Sequence, residues 1–248
     1  MKEIISAKNQ KIKELKKLQQ RKYRNKSAYY LIEGFHLVEE AKEIKEIFID
    51  QKGSELWHSW LKQQTAAIYL LSDEAMAALS EFPTPQGIVA LVKKNQSKPQ
   101  QFTGKWLLLD NVQDPGNVGT MVRTADAAGF SGIVLGKGTA DQYSHKVLRS
   151  MQGSQFHLPV IEGDLREIIP QLQKAGKVYG TKLDEQALVY DQVVNEKNIA
   201  LLMGNEGQGV SAELLQITDA NLYIPIYGQA ESLNVGIAAG ILMYHFAK

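Results

Sequence analysis

The sequence predicts an α/β protein in two parts, a small α/β domain followed by a larger domain built on a parallel sheet. Three observations predict it. Short apolar runs of strand length, bounded by turn residues, alternate with helical patterns along the chain. Several of these runs, among them Leu107-Leu108-Leu109 and Ile133-Val134-Leu135, are apolar without alternation, as strands covered on both faces are. Between Lys93 and Gly104 the composition turns to KKNQSKPQQFTG, polar, with one Pro and no periodicity, which marks a linker. The expected division is residues 1–95, a linker at 96–104, and residues 105–248.

In the first part, residues 8–22 read as one amphipathic helix with Ile12, Leu15 and Leu18 on its apolar side and lysines over most of the rest. Tyr29–Ile32 is a strand, followed by Glu33-Gly34 and a short helical pattern through Leu37, Val38 and Ala41. Ile47–Ile49 is a strand, a Trp-containing helix is expected near Glu55–Gln64, and Ile68–Leu71 is a strand. A helix capped by Ser72 and a strand at Gly87–Val92 complete the domain. In the second part, strands are expected at 106–109, 133–135, 159–161, 178–181, 199–203 and 223–226. Helices are expected from Val118 or Gly119 to Phe130, at Lys146–Gly153, at Leu165–Ala175 and at Val235–Phe246.

Composition narrows the function. The chain has 248 residues, 44% of them hydrophobic, enough for a sizeable core. No apolar segment reaches the roughly 18 residues of a spanning helix, and the Lys-rich start lacks a following hydrophobic region, so no membrane contact and a cytoplasmic location are expected. Zero Cys excludes disulfides and thiolate metal sites, and the five His, at 36, 58, 145, 157 and 245, include no close ligand pair, so no metal is expected. Residues 1–26 hold ten Lys/Arg against two Glu in a chain of formal net charge +1; that local +8 points to a polyanionic partner.

Three polar loops follow apolar runs in the second part: 110–119, 204–209 and 227–234. If the strands are parallel, these loops meet at the carboxyl edge of the sheet, where open α/β folds bind ligands. Asp114-Pro115-Gly116-Asn117 is turn chemistry, and Arg123 falls in the first two turns of the helix expected after it. Gly204-x-x-Gly207-x-Gly209 departs from G-x-G-x-x-G, and Glu206 inside it would repel a pyrophosphate. No Gly-Lys-Ser/Thr is present either, so a nucleotide-cofactor oxidoreductase is disfavoured. A blander reading keeps the loops as turns, with Glu206 capping the next helix.

Asn117-x-Gly119-x-x-x-Arg123, Gly204-Asn205-Glu206-Gly207 and Ile224-Pro225 with Ser232-Leu233-Asn234-Val235 resemble the three ordered motifs of the SpoU branch of the SPOUT RNA methyltransferases. The resemblance runs from about residue 106 to 246. Residues 1–95, with Glu33-Gly34 after Tyr-Leu-Ile and a basic lead-in, are similar to the L30e-like domain that many such enzymes use to hold RNA.

The resemblance implies a parallel α/β domain whose C-terminal part forms a trefoil knot, binding S-adenosylmethionine, usually as a homodimer. It implies cofactor contacts at Thr181, Gly204, Ile224 and Leu233, and a ribose side lined by Asn117, Arg123, Glu206, Ser232 and Asn234. Gly236 departs from the pattern, a Ser being common there. The implied activity is 2′-O-methylation of a ribose in structured RNA, 23S rRNA first, with tRNA as a second target and a non-catalytic RNA-binding protein as an alternative. A guanidinium with a pKa above about 12 is a poor base, so Arg123 is expected to clamp the phosphate beside the reacting ribose. Its role as base stays open, with Glu206 as the alternative base or as the residue that orients Asn117 and Arg123.

Overall fold

The computed structural model describes residues 1–95, 99–184 and 187–247. Residues 96–98 of the expected linker lie outside these. The chain divides into two compact units, residues 1–95 together with Tyr143–Leu148, and residues 96–142 together with 149–248.

The first unit contains β1 (Lys2–Ile4), α1 (Gln10–Lys17), α2 (Arg21–Arg24), β2 (Tyr29–Glu33), α3 (Phe35–Glu40), β3 (Ile44–Ile49), α4 (Gln51–Leu56), α5 (His58–Leu61), β4 (Ala67–Leu71), α6 (Asp73–Leu79) and β5 (Ile88–Lys93). Its five-stranded mixed sheet has the order β1-β4-β3-β5-β2. The helix expected over 8–22 is two helices. α1 buries Ile12 and Leu15, and its end is closed by the buried Arg24, whose guanidinium donates to the carbonyls of Leu18 and Gln19 at 2.9 and 2.5 Å. Carbonyls that have lost their intrahelical partners are thereby satisfied, and the chain turns. The helix expected near 55–64 begins earlier, because Asp50 caps α4 by accepting from the Gly53 amide at 2.6 Å, and it is interrupted at Trp57, which leaves helical geometry. β1 pairs in parallel with β4 and was not expected, three residues being too short for a periodicity.

The second unit contains β6 (Lys105–Leu109), α7 (Pro115–Ala127), β7 (Gly132–Leu135), α8 (His145–Met151, whose first residues belong to the first unit), β8 (Val160–Glu162), α9 (Leu165–Leu172), β9 (Lys177–Thr181), β10 (Leu188–Val189), β11 (Ile199–Met203), α10 (Ala212–Leu215), β12 (Ala220–Tyr223) and α11 (Val235–Phe246). Its seven strands run in the order β10-β12-β9-β11-β6-β7-β8, and every pairing is parallel. The continuous apolar runs therefore do mark central strands, covered on both faces. Trp106, Leu108 and Leu202 pack with Ile168, Ile169 and Leu172 of α9 and Leu214 of α10. Leu107, Leu109 and Leu201 alternate to the opposite face, also fully buried. Truncating one such leucine to Ala costs about 2–5 kcal/mol.

Two boundaries differ from expectation where they bear on the site. α7 begins at Pro115, not at 118 or 119: Asp114 is its N-cap, accepting from the Asn117 amide at 2.7 Å, and Pro115 occupies the first helical position, where its missing N–H costs nothing. β12 ends at Tyr223, so Ile224-Pro225-Ile226 is loop; a Pro has no N–H for the ladder.

Candidate active site

The strand order sets β12, β9, β11 and β6 side by side and parallel, so their carboxyl ends share one edge. The loops after β6, β11 and β12 all leave from it. The ends of β9, β11 and β12 with the segments that follow them, and the start of α11, line a cavity of about 410 Å³, within the range of small-molecule sites. Its apolar wall includes Leu222, Ile224, Ile226 and Leu233, and its polar wall includes the 204–209 loop with Glu206. Thr181, Gly204, Ile224 and Leu233, the expected cofactor contacts, all line it, as does Ser232. Thr181 donates its hydroxyl to the Leu202 carbonyl at 2.9 Å, which ties the end of β9 to β11. Gly204 is dictated by close approach, since a Cβ there would sit 2.1 Å from the Gly209 carbonyl carbon and the Val210 amide nitrogen.

Above the cavity, side chains from all three loops form one chain of hydrogen bonds. Asn234 donates from Nδ2 to Asn117 Oδ1 at 3.1 Å, and Asn117 donates from Nδ2 to Glu206 Oε1 at 3.1 Å. Glu206 also accepts the backbone amides of Asp114 at 3.0 Å and Gln113 at 3.2 Å. At the other end, Asn234 Oδ1 caps α11 by accepting from Gly236 and Ile237. The acceptor-only carboxylate at one end and the helix amides at the other leave both Asn side chains a single consistent orientation. Burial works against the Glu206 charge, but the hydrogen bonds from Asn117 and from backbone amides outweigh it and hold the carboxyl below its ordinary range.

This geometry corrects part of the expectation for Glu206. It does not cap the following helix; it anchors the β6 loop and orients Asn117, and it makes no contact with Arg123. Arg123 is exposed and forms no ion pair or hydrogen bond among the described residues. With α7 starting at Pro115, Arg123 lies in the third turn instead of the first two, about 9 Å along the axis from Asn117 and on another face of the helix. The structure thus brings Asn117, Glu206 and Asn234 together, sets Ser232 on the cavity wall, and leaves Arg123 apart from them. Gly236 sits where a Cβ would lie 3.2 Å from Asn234 Oδ1 and 3.6 Å from Asn117 Oδ1. The residue with the smallest side chain therefore stands beside the relay, and Thr120 and Thr124 of α7 face Gly236 and Gly240 of α11.

Two further links join the loops. Asp110 accepts the Ser211 amide at 2.8 Å, and Asn205 donates to the Asn111 carbonyl at 2.9 Å. Asn205 stands in the Gly204-Asn205-Glu206-Gly207 motif, but the links themselves have no signal in the sequence beyond short polar residues at strand ends, which fit any turn.

Residues 105–244 match the model of the SpoU rRNA Methylase family. The chain belongs to that family. Residues 9–90 match the MRM3-like substrate binding domain. Among similar proteins is the 23S rRNA (guanosine(2553)-2′-O)-methyltransferase RlmP of Bacillus subtilis, 49% identical over 99% of each chain. Among solved structures, the AdoMet-bound rRNA methyltransferase from Sinorhizobium meliloti superposes with a TM-score of 0.87 at 30% identity, covering 98% of this chain and 96% of that one. The SpoU methyltransferase AviRb from Streptomyces viridochromogenes, in complex with AdoMet, gives 0.85 at 25% identity over 97% of each. The two-unit architecture of this SpoU chain is thus shared along nearly its whole length.

The cavity fits the family's cofactor on its own terms. It offers an apolar wall for an aromatic base and backbone polar groups from the glycine loop. Its nearest charge on that loop is a carboxylate, compatible with a cationic sulfonium and hostile to a phosphate chain. S-adenosylmethionine is the cofactor. Among the described residues no cluster of His, Asp or Glu could hold a metal ion, and no helix is long and apolar enough to cross a membrane.

Proposed function

We propose that this protein is an S-adenosylmethionine-dependent 2′-O-methyltransferase acting on a ribose of 23S rRNA, at the nucleotide corresponding to guanosine 2553. The observation that carries the reading is the fixed relay Asn234–Asn117–Glu206 over a cofactor-sized cavity, in a chain 49% identical to RlmP end to end. When bound, the cofactor supplies an electrophilic methyl group on sulfur. Thr181, Gly204, Ile224 and Leu233 hold it. Asn117, Ser232 and Asn234 present polar groups to the ribose, and Arg123 holds the neighbouring phosphate, orienting the hydroxyl. A carboxylate held below its ordinary range, with three donors already on it, is a poor proton acceptor, so Glu206 is a positioning group and not the base.

The first unit holds the RNA. Of the ten cations in residues 1–26, Arg24 is buried as the clamp on α1 and Lys11 is paired with Glu46 at 2.8 Å, leaving eight for phosphates. A homodimer in the cytoplasm completes the reading. α11 is apolar all round, and its Ile237 and Tyr244, at 57 and 56% exposure and seven residues apart on one face, form an uncovered stripe that a second copy would bury. The C-terminal segment is read as knotted, supported by α11 following β12 yet packing on α7 and β11, beyond the intervening β9.

Mapping 2′-O-methyl sites by mass in 23S rRNA from cells with and without the gene tests the reading. One modification at the position equivalent to 2553 is expected to vanish. An unchanged map of 23S rRNA alongside a lost site in tRNA would move the substrate to tRNA, and no lost site in either would leave a non-catalytic RNA-binding protein.

A further inference from the structure

The loops after β6 and β11 meet along three consecutive links. Asp110 accepts from the Ser211 amide, Asn205 donates to the Asn111 carbonyl, and Glu206 gathers Gln113, Asp114 and Asn117. Asn205 stands in the middle, immediately before the residue that holds the relay. Its side chain uses both ends. Oδ1 accepts the amides of Gly207 at 3.0 Å and Gln208 at 3.1 Å, which folds the glycine loop on itself, while Nδ2 reaches across at 2.9 Å to the other loop. The loop is closed by a two-way backbone bridge between Asn205 and Gly209, both bonds 2.9 Å. On the receiving side Asn111 holds a φ of 54°, a left-handed conformation that Asn tolerates far better than most residues, as part of the turn whose carbonyl meets Asn205.

We propose that Asn205 is a positioning residue for methyl transfer: by latching the β11 loop to the Asn111 carbonyl, it sets the place from which Glu206 orients Asn117. Only a carboxamide meets both demands here, since the turn needs an acceptor and the latch needs a donor on the same short side chain. Serine has too little reach, and aspartate supplies the acceptor but sets a negative oxygen against a carbonyl. The inference rests on the methyltransferase reading and concerns geometry upstream of it.

The two functions of Asn205 separate in Asn205→Asp, which keeps the turn and removes the latch. At pH 8 the full-length variant is expected to transfer methyl groups from S-adenosylmethionine to unmodified 23S rRNA about 30–100-fold more slowly in single turnover, the scale of a displaced reacting geometry. In the cofactor-free protein, the amides of Gln113 and Asp114 should exchange about tenfold faster, an effect on the relay seen without any turnover. Lowering the pH to 4.5 protonates a carboxyl placed against a carbonyl, and the neutral acid regains a donor for Asn111. The exchange defect relative to wild type should therefore shrink. Asn205→Ser, which accepts but cannot reach, should show the defect at both pH values.

Wild-type transfer and wild-type amide protection in Asn205→Asp at pH 8 would overturn the proposal. So would an exchange defect in Asn205→Asp that stays undiminished at pH 4.5, since a donor returned to the latch would then restore nothing. A wild-type protein that methylates no RNA would instead overturn the functional reading, leaving the exchange measurements to judge the latch alone.

Discussion

Removing the carboxylate of Glu206 unpins one loop from another, and the size of the effect can be worked from its partners. Glu206→Ala leaves the amides of Gln113 and Asp114 and the Asn117 Nδ2 without their acceptor. A hydrogen bond to a charged acceptor contributes about 1.5–3 kcal/mol where water is excluded. Glu206 is exposed, so water replaces part of each loss, and about 0.5–1 kcal/mol apiece is the appropriate scale. Three such losses come to about 2 kcal/mol, or roughly 30-fold in the ratio of docked to undocked loop. Hydrogen exchange at Gln113 and Asp114 should speed up by that factor, and single-turnover methyl transfer should fall by at least as much. Glu206→Gln should recover part of the loss, because its Oε1 can still accept from Asp114 and Asn117 while its Nε2 faces the Gln113 amide. The wild type carries a matching pH signature. A carboxyl held below its ordinary value contributes docking free energy that is present above that value, 4.5, and is lost as the pH falls through the lowered folded one. Protection of the two amides should therefore persist down to the ordinary glutamate range and fail below it. Unchanged exchange in Glu206→Ala would mean that the β6 loop is held by its own Asp114 cap and Asp110, and that Glu206 positions nothing.

Arg123→Ala should lower methyl transfer by on the order of a hundredfold while leaving cofactor affinity nearly untouched, and Arg123→Lys should recover only part, charge returning without the planar fork; near wild-type single-turnover rates in the alanine variant would make it a surface residue. Gly204→Ala should abolish cofactor binding by calorimetry, because its Cβ would overlap the Gly209 and Val210 backbone at 2.1 Å; retained affinity would show that the loop shifts freely. Replacing Lys13, Lys16 and Lys17 with Ala should weaken RNA binding and flatten the slope of log affinity against log salt by roughly 0.7–0.9 for each lysine that meets a phosphate, with cofactor binding as before; an unchanged slope would move the RNA surface elsewhere. Light scattering at micromolar concentration should return a dimer, and Ile237→Lys, placing a charge in the uncovered stripe of α11, should return a monomer; a wild-type monomer would leave that stripe for another partner.

What could be read from the residues and what could not divide along the range of the interactions concerned. The parallel sheet was legible because Leu107–Leu109 and Ile133–Leu135 are apolar on both faces, a local property of each run. The gathering of three loops follows from strand direction alone, since parallel strands end at one edge of the sheet. The start of α7 is not legible because Asp-Pro-Gly-Asn satisfies a turn and a capped helix equally; the choice is made when Asp114 accepts from the Asn117 amide, and that bond has no separate mark in the sequence. Two consequences follow from those three or four residues of extra helix. Asn117 enters the first turn, where its side chain can span Glu206 and Asn234, and Arg123 rotates off that face and advances along the axis. The residues that complete the relay come from about 90 and 117 positions away, so no periodicity or spacing around Asn117 could have named them. The same distance applies to Asn205: its bonds to the glycine loop are local, while its bond to Asn111 depends on two strands lying side by side in the sheet, so its place in the Gly204–Gly207 motif does not by itself give the latch. Arg123 is the converse case. Its motif spacing is local and legible, yet nothing in its own chain answers its charge among the described residues, which is the condition expected of a cation whose counterpart arrives with the RNA. A guanidinium already satisfied by a carboxylate would have had to break that pair before holding a phosphate, and its unpaired state on an exposed helix face removes that cost.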